Sequence, residues 1–247
     1  MPRSAREKSV TGIYHAMLRG INQQLIFEDD EDCEKFLEVI ADCKIISGFN
    51  LYAYCLMGNH VHLLIKTNDE SLEHVFKRIG VRYVYWYNWK YQRIGHLFQD
   101  RFKSESIEND RYFLTVLRYI HQNPIKAKLC NSVEKYKWSS YCEYIGERKF
   151  VDCDFALEMI GVKQFINFNS ESNNDSCLEN DAKLPRLSDY EVKALMKGVC
   201  DCDTVESFLK LDSNERKFYI RKLKSLGIPS RQISRLTGVS KGTIGRA

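Results

Sequence analysis

His60-Val61-His62 begins an otherwise apolar run that continues through Leu63-Leu64-Ile65. Side chains at i and i+2 of a strand share a face, so both imidazoles point one way and Val61 the other. Two convergent neutral imidazoles make half of a divalent-metal site, and two histidines on an apolar strand are costly unless something satisfies them. A second group stands at Leu117-Arg118-Tyr119-Ile120-His121-Gln122-Asn123-Pro124. There a tyrosine near the end of a helix is followed by three side chains able to donate or ligate. A phenol of pKa about 10 is a poor nucleophile at neutral pH. A nearby cation and a polarised phosphate would activate it for covalent catalysis. Each group alone also has a bland use, as satisfied core histidines or as a buried core tyrosine.

These residues need elements to hold them. Gly12 to Leu18 reads as a strand. With Asp29 or Asp30 as N-cap, Phe36, Leu37, Ile40, Ala41 and Ile45 recur at helical spacing until Gly48. The acidic residues crowding Glu28 to Glu34 suit a helix N-terminus without any metal. Leu51 to Met57 and Val61 to Ile65, separated by Gly58-Asn59, form a hairpin signal. A long helix follows from about Ser71, then a strand near Arg101 to Ile107. A further helix begins near Asp110 and is expected to end at Pro124. The order β-α-β-β-α-β-α predicts an α+β fold, a ferredoxin-like split βαβ antiparallel sheet with an appended helix.

Composition bounds the rest. The chain has 247 residues, 44% hydrophobic and 28% charged, enough for two cores. No apolar run approaches the roughly 18 residues of a membrane span, and residues 1–8 lack a signal-like apolar segment. Nine cysteines without a CxxC pair fit reduced thiols and a cytoplasmic location. The net charge of +4 is a sum of unlike parts. Residues 1–145 carry a net +2, residues 146–185 a net −4 and residues 186–247 a net +6. The Asn/Ser-rich stretch 167–183 reads as a linker. The domain division is therefore 1–150, an acidic linker at 151–185, and a helical unit at 186–247.

In that last unit Ser188-Asp189-Tyr190-Glu191 is a capping box. Asp212 or Ser213 opens a helix, Ser230 caps a short one, Thr237-Gly238-Val239 turns, and Ser240 caps a last helix with Lys241, Thr243 and Arg246. Short helix, glycine turn, short basic helix is a helix-turn-helix signature; a plain helical interaction module is the alternative. Upstream, Lys77 to Lys103 carries seven basic residues and one acid among many aromatic rings. Such interleaving suits single-stranded or hairpin DNA. Arg82, Arg93, Arg101 and Lys103 are assigned to DNA and most of the rings to packing.

Together these segments resemble the HUH single-tyrosine transposases, IS200-like, in the version found in REP-associated tyrosine transposases. Asn59-His60-Val61-His62-Leu63-Leu64-Ile65 looks like their His-hydrophobic-His motif. Tyr14-His15-Ala16-Met17-Leu18-Arg19-Gly20 with Ile26-Phe27 resembles their first strand and turn. Gly95-His96-Leu97-Phe98-Gln99-Asp100-Arg101-Phe102-Lys103-Ser104 resembles their basic fourth-strand segment. Arg118-Tyr119-Ile120-His121-Gln122-Asn123-Pro124 with Ala127 resembles their nucleophile helix. The likeness spans about residues 11–145, and Gly58 departs from the proline many relatives carry.

The resemblance implies that residues 1–150 are a catalytic unit in which His60 and His62 ligate Mg²⁺ or Mn²⁺. Tyr119 would attack a scissile phosphate, leaving a 5′-phosphotyrosine and a free 3′-OH that can be rejoined. The implied third ligand, one turn past the tyrosine, falls on Asn123, with His121 and Gln122 as alternatives because Pro124 disfavours α geometry at Asn123. Arg19 joins the DNA-contacting residues, with Lys241, Thr243 and Arg246 from the tail. The implied partner is repeat-associated single-stranded or hairpin DNA, with no membrane, and dimerisation stays open. The rival readings are a non-enzymatic DNA-binding regulator on the same fold and a metal-dependent phosphodiesterase without a covalent step. Removal of residues 186–247 is expected to weaken DNA binding but to spare the covalent step on short substrates.

Overall fold

The computed structural model describes residues 8–99, 101–173, 175–178, 187–202 and 204–246. Four strands, β1 Ile13–Arg19, β2 Asn50–Met57, β3 His60–Lys66 and β4 Lys103–Ser106, form an antiparallel sheet in the order β2-β3-β1-β4. Helix α1, Asp30–Ser47, joins β1 to β2, and α2, Leu72–Lys90, joins β3 to β4. This is the split βαβ arrangement expected of an α+β fold.

Local chemistry sets the boundaries. Asp29 caps α1 in a reciprocal box with Asp32, and Gly48 closes it in the left-handed region at φ 64°. Ser71 caps α2. Phe36 and Tyr83 meet edge to face at 4.8 Å, which locks α1 to α2.

Helix α3, Asp110–Lys126, departs from expectation, because it passes through Pro124 rather than ending there. Proline's φ suits a helix; what it removes is one N–H, here the donor to Ile120. Pro124 lies near the helix end with Asn123 and Pro124 both buried, so packing offsets one lost bond. The turn is then resealed by Ala127 and Leu129, whose N–H groups donate to the carbonyls of Asn123 and Pro124 at 2.9 Å each.

The acidic linker expected over 151–185 is corrected for its first part. After the short helix α4, Tyr141–Ile145, two helices follow, α5 Asp154–Ile160 and α6 Val162–Ser170. Ala156 and Phe165 are fully buried in the first core, and Phe165 stacks on Tyr144 at 4.5 Å. A few apolar residues on short helices were enough to bury this segment despite its acidic surface. Residues 174 and 179–185 of that expectation lie outside the described residues.

The C-terminal unit has its own core, built from Val192, Met196, Phe208, Ile220, Leu223, Ile233 and Ile244 among others. It comprises α7 Asp189–Cys200, α8 Val205–Leu209, α9 Ser213–Ser225, α10 Ser230–Thr237 and α11 Lys241–Arg246. Gly238 turns α10 into α11 at φ 70°. Among the described residues no helix is long and apolar enough to cross a membrane.

Candidate active site

Strand register decides which side chains meet. His62 pairs with Met17 on one side and Cys55 on the other, while His60 pairs with Arg19 and Met57. His15 pairs with Leu64 and Glu105, and Lys103 with Met17. Directly paired residues share a face, so His60, His62, His15, Arg19, Lys103 and Glu105 all belong to one face of the sheet. Helix α3 lies over that face. Tyr119 meets His62 edge-on at 5.8 Å between ring centroids and His15 at 5.8 Å. His60 and His62 stand 5.0 Å apart, their rings nearly perpendicular at 86°.

Both histidines are oriented through their Nδ1 atoms. His60 Nδ1 lies 2.7 Å from Asn59 Oδ1, and His62 Nδ1 lies 2.9 Å from His15 Nε2. His15 Nδ1 is in turn 2.7 Å from Glu105 Oε1. A carboxylate only accepts, so His15 donates from Nδ1, and with that ring neutral its Nε2 accepts from His62 Nδ1–H. The tautomers follow from this network. Each ligand candidate thus carries its proton on Nδ1 and its lone pair on the buried Nε2. Glu105 is pushed up by burial but held below the usual carboxylate range overall, chiefly by its hydrogen bond to His15.

Helix α3 separates the alternatives for a third donor. His121 Nε2 bonds Ser140 Oγ at 2.9 Å, with its ring packed edge-on against Tyr141, Tyr144 and Phe165. Burial pulls its pKa down to about 3, so it is a neutral core histidine. Gln122 is spent on α6, donating to the carbonyls of Asn169 at 2.7 Å and Glu171 at 2.9 Å. Asn123 remains, on the same helix face as Tyr119 at i+4. Its amide nitrogen is buried with no hydrogen-bond partner among the described residues.

Three further residues complete the site that sequence reasoning left unassigned: His15, Glu105 and Lys126. Lys126 sits with Nζ 4.7 Å from the Tyr119 ring centroid and donates to Asp175 O at 2.6 Å. It lies at i+7 from Tyr119, a helical spacing that would have marked it had Pro124 not been read as a stop. The face of His15 was invisible without the register.

The candidate nucleic-acid residues divide. Arg19 and Lys103 lie on the site face. Arg93 reaches Gln24 Oε1 at 3.0 Å, beside the loop where Gly20 N–H meets Asn59 O at 2.8 Å. Arg82 is turned to α1, 3.6 Å from Asp42, which draws it away from the histidines. Arg101 and Lys241 are exposed. Thr243 bonds Ser240 at the start of α11, and the Arg246 side chain lies outside the described residues.

The split βαβ sheet thus carries paired histidines under a tyrosine-bearing helix. Residues 8–123 match the family described as Transposase IS200 like. The chain is similar to the structure of a REP-associated tyrosine transposase bound to a REP hairpin, at 17% identity and a TM-score of 0.53. That likeness covers 62% of this chain and 90% of the other. It is also aligned with a candidate transposase from Deinococcus radiodurans at 16% identity, over 49% of this chain and 97% of the other, with a TM-score of 0.35. Comparison with curated proteins finds no match.

Proposed function

We propose that this protein is a transposase, a metal-dependent DNA strand transferase that cuts and rejoins single-stranded or hairpin DNA through Tyr119. The observation that carries the reading is the placement of the Tyr119 ring against His62 and His15, 5.8 Å from each. The proposed nucleophile therefore lies in contact with the proposed ligand His62.

His60 Nε2, His62 Nε2 and the Asn123 side-chain oxygen are the donors that would hold the ion. A bound divalent ion supplies Lewis acidity at a non-bridging phosphate oxygen and a template for the scissile phosphate. Among the described residues no three His, Cys, Asp or Glu side chains gather into a site, so the amide completes the protein's share. Mg²⁺ prefers oxygen ligands, which makes Mn²⁺ the better fitted of the two to a pair of imidazoles. The residues do the rest. The Tyr119 oxygen bonds to phosphorus while the bond from phosphorus to the 3′-oxygen breaks, and the phenolic proton ends on the leaving 3′-oxygen. The product is a 5′-phosphotyrosine and a 3′-OH. Attack by another 3′-OH reverses the step, so the energy of the bond is kept. Lys126 places positive charge beside the nucleophile, and Arg19 and Lys103 supply charge on the same face for the DNA backbone. The hairpin bound to the REP-associated relative supports DNA as the partner.

Labelled single-stranded hairpin DNA incubated with the protein and Mn²⁺ tests this. A covalent adduct lost in Tyr119→Phe is expected. Cleavage without an adduct would favour a phosphodiesterase, and binding without cleavage would favour a regulator.

A further inference from the structure

We propose that Glu191, in the C-terminal helical unit, is a positioning residue for His60, making that unit part of the catalytic hairpin. The claim rests on the reading of His60 as a metal ligand.

The turn between β2 and β3 is held on three sides. Gly58 O accepts from the N–H groups of Ile26 at 2.9 Å and Phe27 at 3.1 Å, and Asn59 O accepts from Gly20 N–H at 2.8 Å. Gly58 N–H is satisfied from the other unit, by Glu191 Oε1 at 3.0 Å. Glu191 is 1% exposed. Its Oε1 also lies 3.2 Å from the Tyr136 hydroxyl, which is 2.7 Å from Leu56 O on the same hairpin. Its Oε2 accepts from Ser188 N–H at 2.6 Å, closing the capping box of α7.

One buried carboxyl group therefore does two jobs: it starts the first helix of the tail and finishes the turn that precedes His60. Removal of residues 186–247 would then disturb His60 as well, against the expectation that the tail can be cut off without cost to the covalent step. The connection to the ligand is short. Gly58 is followed by Asn59, whose Oδ1 accepts from His60 Nδ1 at 2.7 Å. Without Glu191 the Gly58 N–H is a buried donor with nothing to bond, which a two-residue turn relieves by rotating. The Asn59 amide rotates with it and stops fixing the His60 tautomer. His62 is spared, because its Nδ1 is held by His15 rather than by the turn. A second contact keeps the tail on the same loop, with Arg235 3.7 Å from Glu28, immediately after Phe27.

The test is ring-nitrogen NMR of His60 and His62 in the full-length, metal-free protein, together with Mn²⁺ titration. In Glu191→Ala, His60 is expected to change from one ring tautomer to a mixture while His62 keeps its signals. Mn²⁺ affinity should fall by roughly 10-fold, the lower end of what outer-shell partners give. Glu191→Gln retains an acceptor for Gly58 and should recover most of the loss. Unchanged His60 signals in folded Glu191→Ala overturn the proposal, as do equal changes at His60 and His62, which would mean general loosening. If the alanine variant does not fold, Tyr136→Phe and Glu191→Gln are read instead, and a shifted Gly58 amide with an unmoved His60 overturns it. A wild-type protein that binds no Mn²⁺ refutes the ligand reading of the histidines, while the metal-free ring signals still decide whether Glu191 positions His60.

Discussion

At the scale of single residues, the candidate ligands are oriented by side chains that stand behind them. Two imidazoles on one strand face are useful only if each offers its lone pair in the same direction. Asn59 does this for His60, and the Glu105–His15 pair does it for His62, at 2.7 Å and 2.9 Å from the respective Nδ1 atoms. Replacing His15 by Gln removes an aromatic acceptor at the far side of His62 and uncouples Glu105. Mn²⁺ affinity is expected to fall about 10–100-fold, the range seen when such outer partners are lost, and calorimetric titration reads it directly. An affinity equal to wild type would show that His62 is oriented by packing alone. His60, His62 and Tyr119 could be singled out in the sequence because strand periodicity puts the two histidines on one face and the motifs around all three resemble those of a known family. His15 was not, because its role depends on a neighbour 47 residues away across the sheet. The choice among His121, Gln122 and Asn123 needed the core as well, where Ser140 and Asn169 claim the first two.

At the scale of elements, the fold was readable where a capping side chain or a tight turn set the boundary. The caps of α1, α2, α7 and α9, and the Gly58-Asn59 turn, are short-range chemistry and stand where the sequence places them. α3 and the pair α5–α6 were misjudged because packing outweighed a proline and an acidic composition. The loop after β1 is the element that braces the site, and Gly20 is its tightest point. A Cβ on Gly20 would collide with Gln24 O and lie 3.0 Å from Ile26 Cγ2. Backbone cannot retreat as a side-chain tip can, so Gly20→Ala should cost about 1–3 kcal/mol. It should also slow cleavage, since Gly20 N–H holds Asn59 O. Gly80, inside α2 with open space around it, is the control. There alanine should stabilise by roughly 0.5–1 kcal/mol. Urea unfolding of the two variants checks both signs, and a neutral Gly20→Ala would mean that the loop adapts freely.

At the scale of the whole molecule, the net charge of +4 hides a tail whose basic residues are not equivalent. Arg235 is 2.6 Å from Asp189, so part of its charge is committed within the protein. Lys241 opens α11 and is exposed. Lys241→Ala should lower the slope of log affinity against log salt by about 1, and Arg235→Ala by less; equal slopes would remove the tail from the DNA interface. The joint between the two units has a pH signature of its own. Burial pushes the Glu191 carboxyl above its ordinary 4.5, although hydrogen bonds from Ser188 and Gly58 pull partly the other way. Between 4.5 and that raised value the folded chain holds a proton that the unfolded chain has released. Stability then falls as pH rises through the window. A glutamine cannot titrate, so the wild-type advantage over Glu191→Gln should be greatest below pH 4.5 and shrink as the folded carboxyl ionises. Urea midpoints of the two proteins from acid to neutral pH measure that difference. A difference that grows with pH would mean that the hydrogen bonds outweigh burial and that Glu191 serves the joint as a fully ionised carboxylate.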